Sequence, residues 1–424
     1  MKQQILQALK ASQIRTYLIN KVEVESVELF FIKQELDMSR KKKVAHYVVT
    51  VYQDFEAEGS KMRGSATANI YPTMTYEEVE TTLKDAYYAA SFVKNPYYPL
   101  PVGTKEEKVS MSTSIEGDTL EARAAQLTKA LFKYDQEAEV FVNSSELFVE
   151  KRNVSIINSE GIEVAYEKYC TKGEFVIQCT VPQDVETYHD FYYENLECEA
   201  LSQKVKKALE TTTLRAQAKQ SPKTGKYKVI LSGEHIATLL SYYTTNAAAS
   251  MIYPNYSNYK IGDCVQGQNI QEDVLNITLK ATEPWSGEGI KMIDRPLLQK
   301  GVLKTIHGAS KFSHYLGIEP TGGYNTIEVE TGSHTLEAMK QGAYLEVISF
   351  SDFQVDPFTG DFGGEMRLAL YHDGTQIIPL TGGSISGVMQ ELQGHLILSV
   401  ECQVRRGYTG PLAVCLEGIM VAGE

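Results

Sequence analysis

The stretch Tyr227–Asn246 reads YKVILSGEHIATLLSYYTTN and opens the second half of a 424-residue chain. A short apolar run, a Ser-Gly break and apolar residues at helical spacing predict a strand, a turn and a helix. His235 lies beside Glu234, but Leu231 and Leu239 stand four residues before and after it. A zinc helix usually carries two His ligands at i and i+4. The pair therefore does not form a metal site by its own spacing, and we expect a packing helix.

The overall composition is that of an ordinary globular protein, with 43% hydrophobic and 22% charged residues. No apolar run reaches the roughly 18 residues that span a membrane, and the N-terminal MKQQILQALKASQ lacks the apolar core of a signal peptide. The six cysteines form no C-x-x-C pair, which is typical of reduced thiols. These features predict a cytoplasmic protein that does not associate with a membrane.

The net charge of −13 bears on the class of partner. Acidic side chains outnumber basic ones in both halves of the chain, so attraction to a phosphate backbone is not supported. One short basic run, Arg40–Lys43, lies between two strand-like segments and is interpreted as a solvated hairpin tip. We therefore predict no direct binding of nucleic acid.

The first half of the chain contains two similar blocks, at about residues 1–95 and 115–216. Each is predicted to be a helix, three or four antiparallel strands and a second helix. Thr75 and Glu78 form a capping box at the start of the second helix of the first block. The short segments Val27–Phe30 (VELF) and Ser145–Phe148 (SELF) fall at equivalent places. The pattern predicts a duplicated α+β domain over residues 1–220.

The second half, residues 221–424, follows the polar connector Gln217–Lys226 and is rich in glycine. Apolar strands around Asp373-Gly374 are a strong hairpin signal, and the region is predicted to be a mainly antiparallel β domain. Ser384–Leu392 is predicted to be a short helix. Ser384 would then be its N-cap, or the preceding glycines would present backbone N–H groups to an anion or a peptide carboxylate.

The order of several motifs resembles the TldD/PmbA family, whose members are also described as modulators of DNA gyrase and grouped with peptidases. The motifs of the second half are Glu288-Gly289, Gly301–Leu303, Thr321–Asn325, Pro357–Phe362 and the Asp373-Gly374 hairpin with Pro379 and Gly387; those of the first half are Glu28–Phe31 and Gly64. No single motif is specific, but together they cover nearly the whole chain. The resemblance implies intracellular peptide processing or proteolysis, with a peptide or an unfolded segment as partner.

One branch of the family carries a HExxxH helix that binds zinc together with a distant Cys. Matching the family's Leu-Leu to Leu239-Leu240 puts Ser241 and Asn246 at the two His positions and Tyr242 at the Glu position. None is a good zinc ligand, and no base remains to activate a water. The chain is thus similar to the PmbA or TldE-like branch. We expect no metal, no cofactor and no catalytic residue, and a dimer with itself or with a HExxxH-bearing sister.

Further residues could line a peptide-binding cleft, although each also has an ordinary structural interpretation such as core packing, a tight turn or a helix cap. These candidates are Trp285, Glu288, Thr321, Gly322, Gly323, Asn325 and Ser384. The tyrosine-rich segment Met251–Tyr259 is the preferred subunit interface. Two other functions stay open: an active hydrolase or metallopeptidase that uses a different site, and a binding module that modulates DNA gyrase.

Overall fold

A computed structural model of the chain describes residues 1–103, 105, 108–111, 113–115 and 117–424. The elements of the first half are α1 (Lys2–Ala11), β1 (Thr16–Ile32), β2 (Glu35–Ala57), β3 (Ser60–Ile70), α2 (Tyr76–Ala90), β4 (Asn95–Pro96), β5 (Val109–Ser110), α3 (Leu120–Leu131), β6 (Val140–Asn158), β7 (Glu163–Cys179), β8 (Val185–Tyr193) and α4 (Cys198–Gln217). Among the described residues, no helix is both long enough and apolar enough to cross a membrane.

The first half forms one sheet in the order β4-β3-β2-β1-β6-β7, with β5 and β8 also paired to β7. The order helix, three strands, helix occurs twice, in α1–α2 and in α3–α4, with β4 and β5 lying between the two units. At the seam, β1 and β6 pair antiparallel, from Leu18 opposite Asn158 to Ile32 opposite Ser144. The predicted α+β class and its duplication are confirmed.

Both helix pairs pack on the same face of this sheet, at its two ends. Ile5 and Leu9 of α1 share a core with Ile19 of β1, while Leu127 of α3 and Val205 of α4 share a second core with residues of β6 and β7. The predicted capping box at the start of α2 is present, because the Thr75 hydroxyl accepts from the Glu78 amide and the Glu78 carboxylate accepts from the Thr75 amide. The capping pattern therefore fixed the start of this helix.

Two local predictions for the first half are wrong. The basic run Arg40–Lys43 lies within strand β2, not at a hairpin tip, because the turn comes earlier, between Ile32 and Glu35. The carboxylate of Glu28 on β1, only 1% exposed, accepts from Arg40 Nε at 2.6 Å and Lys42 Nζ at 3.2 Å. The sequence pattern of Tyr192–Lys219 also predicts one long helix, but Tyr192 and Tyr193 belong to strand β8 and α4 begins at Cys198.

The second half carries two further sheets. Its elements are β9 (Gly225–Ser232), α5 (Glu234–Asn246), α6 (Ala249–Ile252), β10 (Ile277–Leu279), β11 (Arg295–Gln299), β12 (Val302–Leu303), α7 (Ser310–Leu316), β13 (Ile327–Val329), α8 (Leu336–Met339), β14 (Tyr344–Val355), β15 (Asp361–His372), β16 (Ile377–Leu380), β17 (Ser384–Val388), α9 (Met389–Leu392), β18 (Ile397–Leu398), β19 (Cys402–Arg405), β20 (Tyr408–Pro411) and β21 (Ala413–Ala422).

One sheet has the order β12-β11-β10-β13-β20-β19, and the other has the order β14-β9-β21-β17-β15-β16, with β18 paired to β21. Pairing is mainly antiparallel, but β9 with β14 and β13 with β20 are parallel. The predicted hairpin at Asp373-Gly374 is present, with His372 opposite Ile377. Buried residues of both sheets meet α5 in one core, so this helix lies at the centre of the second half.

The predicted helix over Ser384–Leu392 is wrong over its first part. Ser384–Val388 is strand β17, and only Met389–Leu392 is helical. Ser384 lies opposite Glu365 on one neighbouring strand and Ala422 on the other, so it is not a helix N-cap. Ile385 is buried while Ser386 is exposed, and this alternation is the strand pattern that the surrounding glycines obscured.

Candidate functional site

Helix α5 is held by its apolar side chains. Gly233, with φ +74°, turns the chain from strand β9 into the helix, and Ile236, Leu239 and Leu240 are fully buried. His235 is 6% exposed and lies edge-on to the ring of Phe350, with centroids 4.7 Å apart. Burial lowers the pKa of His235, which keeps the imidazole neutral near pH 7. The predicted packing role of this first turn is confirmed by these contacts.

The three residues at the positions of the family's metal motif are engaged within the protein. Ser241 Oγ donates to the Thr238 carbonyl at 2.6 Å. Asn246, 4% exposed, donates from Nδ2 to the carbonyls of Tyr242 at 3.0 Å and Pro357 at 2.9 Å. These bonds tie α5 to itself and to the turn between β14 and β15.

Tyr242 occupies the Glu position and is 7% exposed. Its hydroxyl accepts from Gln390 Nε2 at 3.0 Å, and burial raises the pKa of the phenol. At neutral pH the group is therefore an uncharged phenol, which neither ligates zinc well nor acts as a general base. Among the described residues, no group of three His, Cys, Asp or Glu side chains is close enough together to hold a metal ion. The residues present do not fit a zinc site.

The turn Pro357–Phe362 supplies the wall that faces α5. Gly360 has φ +75°, and a Cβ there would overlap the carboxamide of Gln390, so glycine is required twice over. Its carbonyl accepts from the Met389 amide at 2.8 Å. Gln390 joins this turn to Tyr242. The sequence did not predict this contact, because Tyr242 lies 148 residues before Gln390 in the chain.

Four of the candidate cleft residues lie where the two halves of the chain meet. Trp285, 2% exposed, packs with Leu18 and other residues of the first sheet, and its indole N–H has no hydrogen-bond partner among the described residues. Glu288 accepts from the backbone amide and the hydroxyl of Ser310, both at 2.8 Å, and thereby caps α7. These contacts suit an anchor and a helix cap, and a cleft role for both residues stays a prediction.

Thr321 and Gly322 form a tight turn close to the same junction. Thr321 Oγ1 accepts from the Gly308 amide at 3.1 Å, and Gly322 has φ +78°. A Cβ on Gly322 would overlap Met292 and come within 2.9 Å of Ser286, so this backbone passes close to the segment that carries Trp285. The structure thus brings Trp285, Glu288, Thr321 and Gly322 into one neighbourhood.

The other three candidates do not share these buried contacts. Gly323 follows Gly322 directly and Asn325 lies three residues after Gly322, and both are exposed. Ser384 lies in the sheet that contains β9 and β21, whereas the Thr321 turn leads into β13 of the other sheet. No described contact joins Ser384 to the remaining candidates, so the seven residues do not form one cleft.

Exposed aromatic rings lie beside the motif positions of α5. Tyr256 is 60% exposed and Phe358 58% exposed, and their rings meet edge to face with centroids 5.4 Å apart. Tyr253 is 40% exposed and packs against Tyr315 of α7 at 4.8 Å. Tyr253 and Tyr256 belong to the predicted interface segment Met251–Tyr259. Phe358 lies outside that segment, in the motif Pro357–Phe362. We call Tyr253, Tyr256 and Phe358 the aromatic patch.

Comparison with known proteins identifies the family. Residues 224–423 match the family model of the PmbA/TldA metallopeptidase C-terminal domain. A search of curated proteins gave no significant match. The second half therefore matches the C-terminal domain of this metallopeptidase family, and the resemblance to TldD/PmbA proteins is confirmed.

Solved structures extend the likeness to the whole chain. TldE from Thermococcus kodakarensis matches with a TM-score of 0.77 at 16% identity, covering 99% of this chain and all of that one. A protein from Bacteroides thetaiotaomicron, named as a candidate modulator of DNA gyrase, matches with a TM-score of 0.75 at 17% identity over 100% of this chain and 99% of that one. A protein of the same name from Thermotoga maritima has a TM-score of 0.74 at 17% identity, with 99% of both chains covered. At these identities the likeness establishes the fold.

Proposed function

We propose that this chain is the TldE-like, non-catalytic member of a peptide-processing pair. Its partner is a sister chain with an intact HExxxH helix, and together the two subunits enclose a peptide or an unfolded polypeptide segment. The observation that carries the proposal is the chemistry of α5. A metallopeptidase needs zinc ligands and a base on this helix, and Ser241, Tyr242 and Asn246 supply neither.

The bonding of these side chains supports the same conclusion. Asn246 uses its amide nitrogen on two carbonyl groups, and a His at that place would have to replace a buried donor that joins α5 to Pro357. The Tyr242 hydroxyl is likewise held by Gln390. The motif positions have thus become part of the internal packing, which suits a subunit that shapes a chamber and leaves hydrolysis to its partner.

The aromatic patch is the proposed contact with the sister chain. It places two rings that are more than half exposed beside α5, and aromatic side chains are enriched where protein surfaces associate. The open edge strands β16 and β19 could hold an extended peptide by main-chain hydrogen bonds. The proposal further includes a cytoplasmic location, since all six cysteines are free thiols and Cys402 is exposed.

The test is to produce the chain alone, and together with a HExxxH-bearing sister, and to assay hydrolysis of an unfolded peptide. We expect activity in the mixture only, with loss of activity when the Glu of the sister's motif is changed to Gln. Hydrolysis by this chain alone would overturn the proposal in favour of a hydrolase with a different site. Binding to purified gyrase without any effect on peptides would overturn it in favour of a gyrase-binding module.

A pair of surface variants tests the proposed contact. Tyr256→Ala combined with Phe358→Ala should weaken binding to the sister about thirtyfold or more, because interface aromatics often contribute about 1 kcal/mol or more each. Tyr88→Ala is the matched control, since this ring on α2 is 69% exposed and does not belong to the patch. Equal pairing by both proteins would show that the patch is not the interface.

A further inference from the structure

A pocket of about 560 Å³ lies on the helix-bearing face of the first sheet. Two neighbouring cross-strand rows form its floor. Tyr47, Lys21, Ser155 and Ala165 stand opposite one another in the first row, and Ile19, Ile157 and Glu163 belong to the second. The pocket is therefore a part of the seam between the two repeats that neither helix pair covers.

The floor of this pocket is largely apolar. Ile19 is 1% exposed and Tyr47 is 7% exposed, and both also belong to the core beneath α1 and α2. Ile157 packs against the same core. The volume lies within the range of about 300–1,000 Å³ that is typical of pockets for small organic ligands. The floor could thus take an apolar body larger than a simple ion.

Charge is concentrated on the walls. Among the described residues, Lys2, Lys21 and Lys105 line the pocket together with one carboxylate, that of Glu163. Lys2 Nζ lies 2.8 Å from Glu163, and Lys21 Nζ lies 2.7 Å from Glu23, which is outside the pocket. Each ammonium group has three N–H donors, so Lys2 and Lys21 can each bind a further acceptor.

Helix α1 adds to the positive potential. Its first residue is Lys2, no side chain caps its N-terminus, and its first turn holds no acidic residue. The partial positive charge of the helix N-terminus therefore adds to the charge of Lys2 at the rim. A group with one negative charge would be favoured here by both the lysines and the helix.

We propose that this pocket binds a monoanionic organic acid, with the carboxylate between Lys2 and Lys21 and an apolar body on Ile19, Tyr47 and Ile157. Two sources share this chemistry: the free C-terminal end of a short apolar peptide and a medium-chain fatty acid. The site is separate from α5 and does not depend on the proposed pairing with a sister chain.

Isothermal titration calorimetry on the full chain tests this site with three probes: N-acetyl-trileucine with a free carboxylate, the same peptide as its amide, and octanoate. We expect at least one acid to bind, and the amide to bind at least about tenfold more weakly than the peptide acid if the peptide is the ligand. Binding of the peptide acid alone would identify a peptide end, and binding of octanoate alone a fatty acid. No binding of either acid, or equal binding of acid and amide, would overturn the proposal.

Variants locate the binding site. Lys21→Met should weaken the bound acid about tenfold, and Ala165→Phe should abolish binding by filling the pocket. Lys10→Met is the matched control, because Lys10 lies in the last turn of α1, is exposed and does not line the pocket. Melting temperatures show whether each variant is folded. Unchanged affinity in folded Lys21→Met and Ala165→Phe proteins would place the ligand elsewhere and refute the proposal.

Discussion

Replacing Asn246 by Asp tests whether its amide group holds α5 against the turn that follows β14. The amide nitrogen donates to two carbonyl oxygens at 3.0 and 2.9 Å, and the residue is 4% exposed. A carboxylate of the same shape donates to neither and brings negative charge against both. The Tyr242 carbonyl keeps its backbone bond within the helix, but the Pro357 carbonyl loses its donor; this loss and the burial of an unpaired charge each cost about 1–3 kcal/mol. We therefore expect Asn246→Asp to lower the free energy of unfolding by about 3–5 kcal/mol at pH 7.5.

Thermal unfolding followed by circular dichroism measures this loss, which corresponds to a decrease of about 6–20 °C in Tm for a region of this size. Burial raises the pKa of a carboxyl group, so the native variant binds a proton that the unfolded chain releases. Its deficit should therefore shrink as the pH falls from 7.5 to 5. Asn325→Asp is the control, since Asn325 is exposed and should change stability by less than about 0.5 kcal/mol. A deficit below about 1 kcal/mol, or one equal at both pH values, would refute the reasoning.

Two further predictions concern other buried contacts. Gly360→Ala should lower the free energy of unfolding by about 2–3 kcal/mol, because the new side chain strains a positive φ and displaces Gln390. Gly374→Ala is the control: its φ is +102° and no described atom lies near the new Cβ, so it should show the strain alone. Equal melting temperatures of the two variants would contradict this prediction. Burial alone would raise the pKa of Glu28, but hydrogen bonds from its basic and hydroxyl neighbours outweigh it and the net shift is downward. The wild-type protein should therefore be more stable than Glu28→Gln above about pH 4.3, and this difference should disappear as the pH falls through the lower pKa of the folded state. Urea unfolding from pH 7 to 3 measures the difference in the free energy of unfolding between the two proteins. A difference that grows in acid would contradict the prediction.

Local patterns predicted the elements whose stability is local. The helix after Gly233 could be recognised because apolar spacing and its neighbouring strand lie in adjacent residues. Ser384–Val388 could not, because its strand form depends on pairing with β15 and β21, which lie at different distances along the chain. The basic run at Arg40 was wrongly predicted to be a hairpin tip for a similar reason. Its charges are balanced by the buried carboxylate of Glu28, which lies on the partner strand β1.

The same distinction applies to the candidate site. Ser241, Tyr242 and Asn246 were identified by their order in the chain, but the bonds of Asn246 to Pro357 and of Tyr242 to Gln390 span more than a hundred residues. Glu288 carried no sign that it caps a helix, because its partner Ser310 lies 22 residues away. Sequence order thus indicates which positions matter, while their contacts depend on the assembled fold.

The seam between β1 and β6 has a consequence for the newly made chain. The first repeat ends with α2 at Ala90, yet the outer edge of β1 finds its partner only when residues up to Asn158 have been synthesised. At roughly 5–20 residues per second, these roughly 70 residues take about 3–14 s. Throughout that interval a long strand edge is open to neighbouring nascent chains on the same message. The second repeat thus covers the strand edge that the first repeat leaves open.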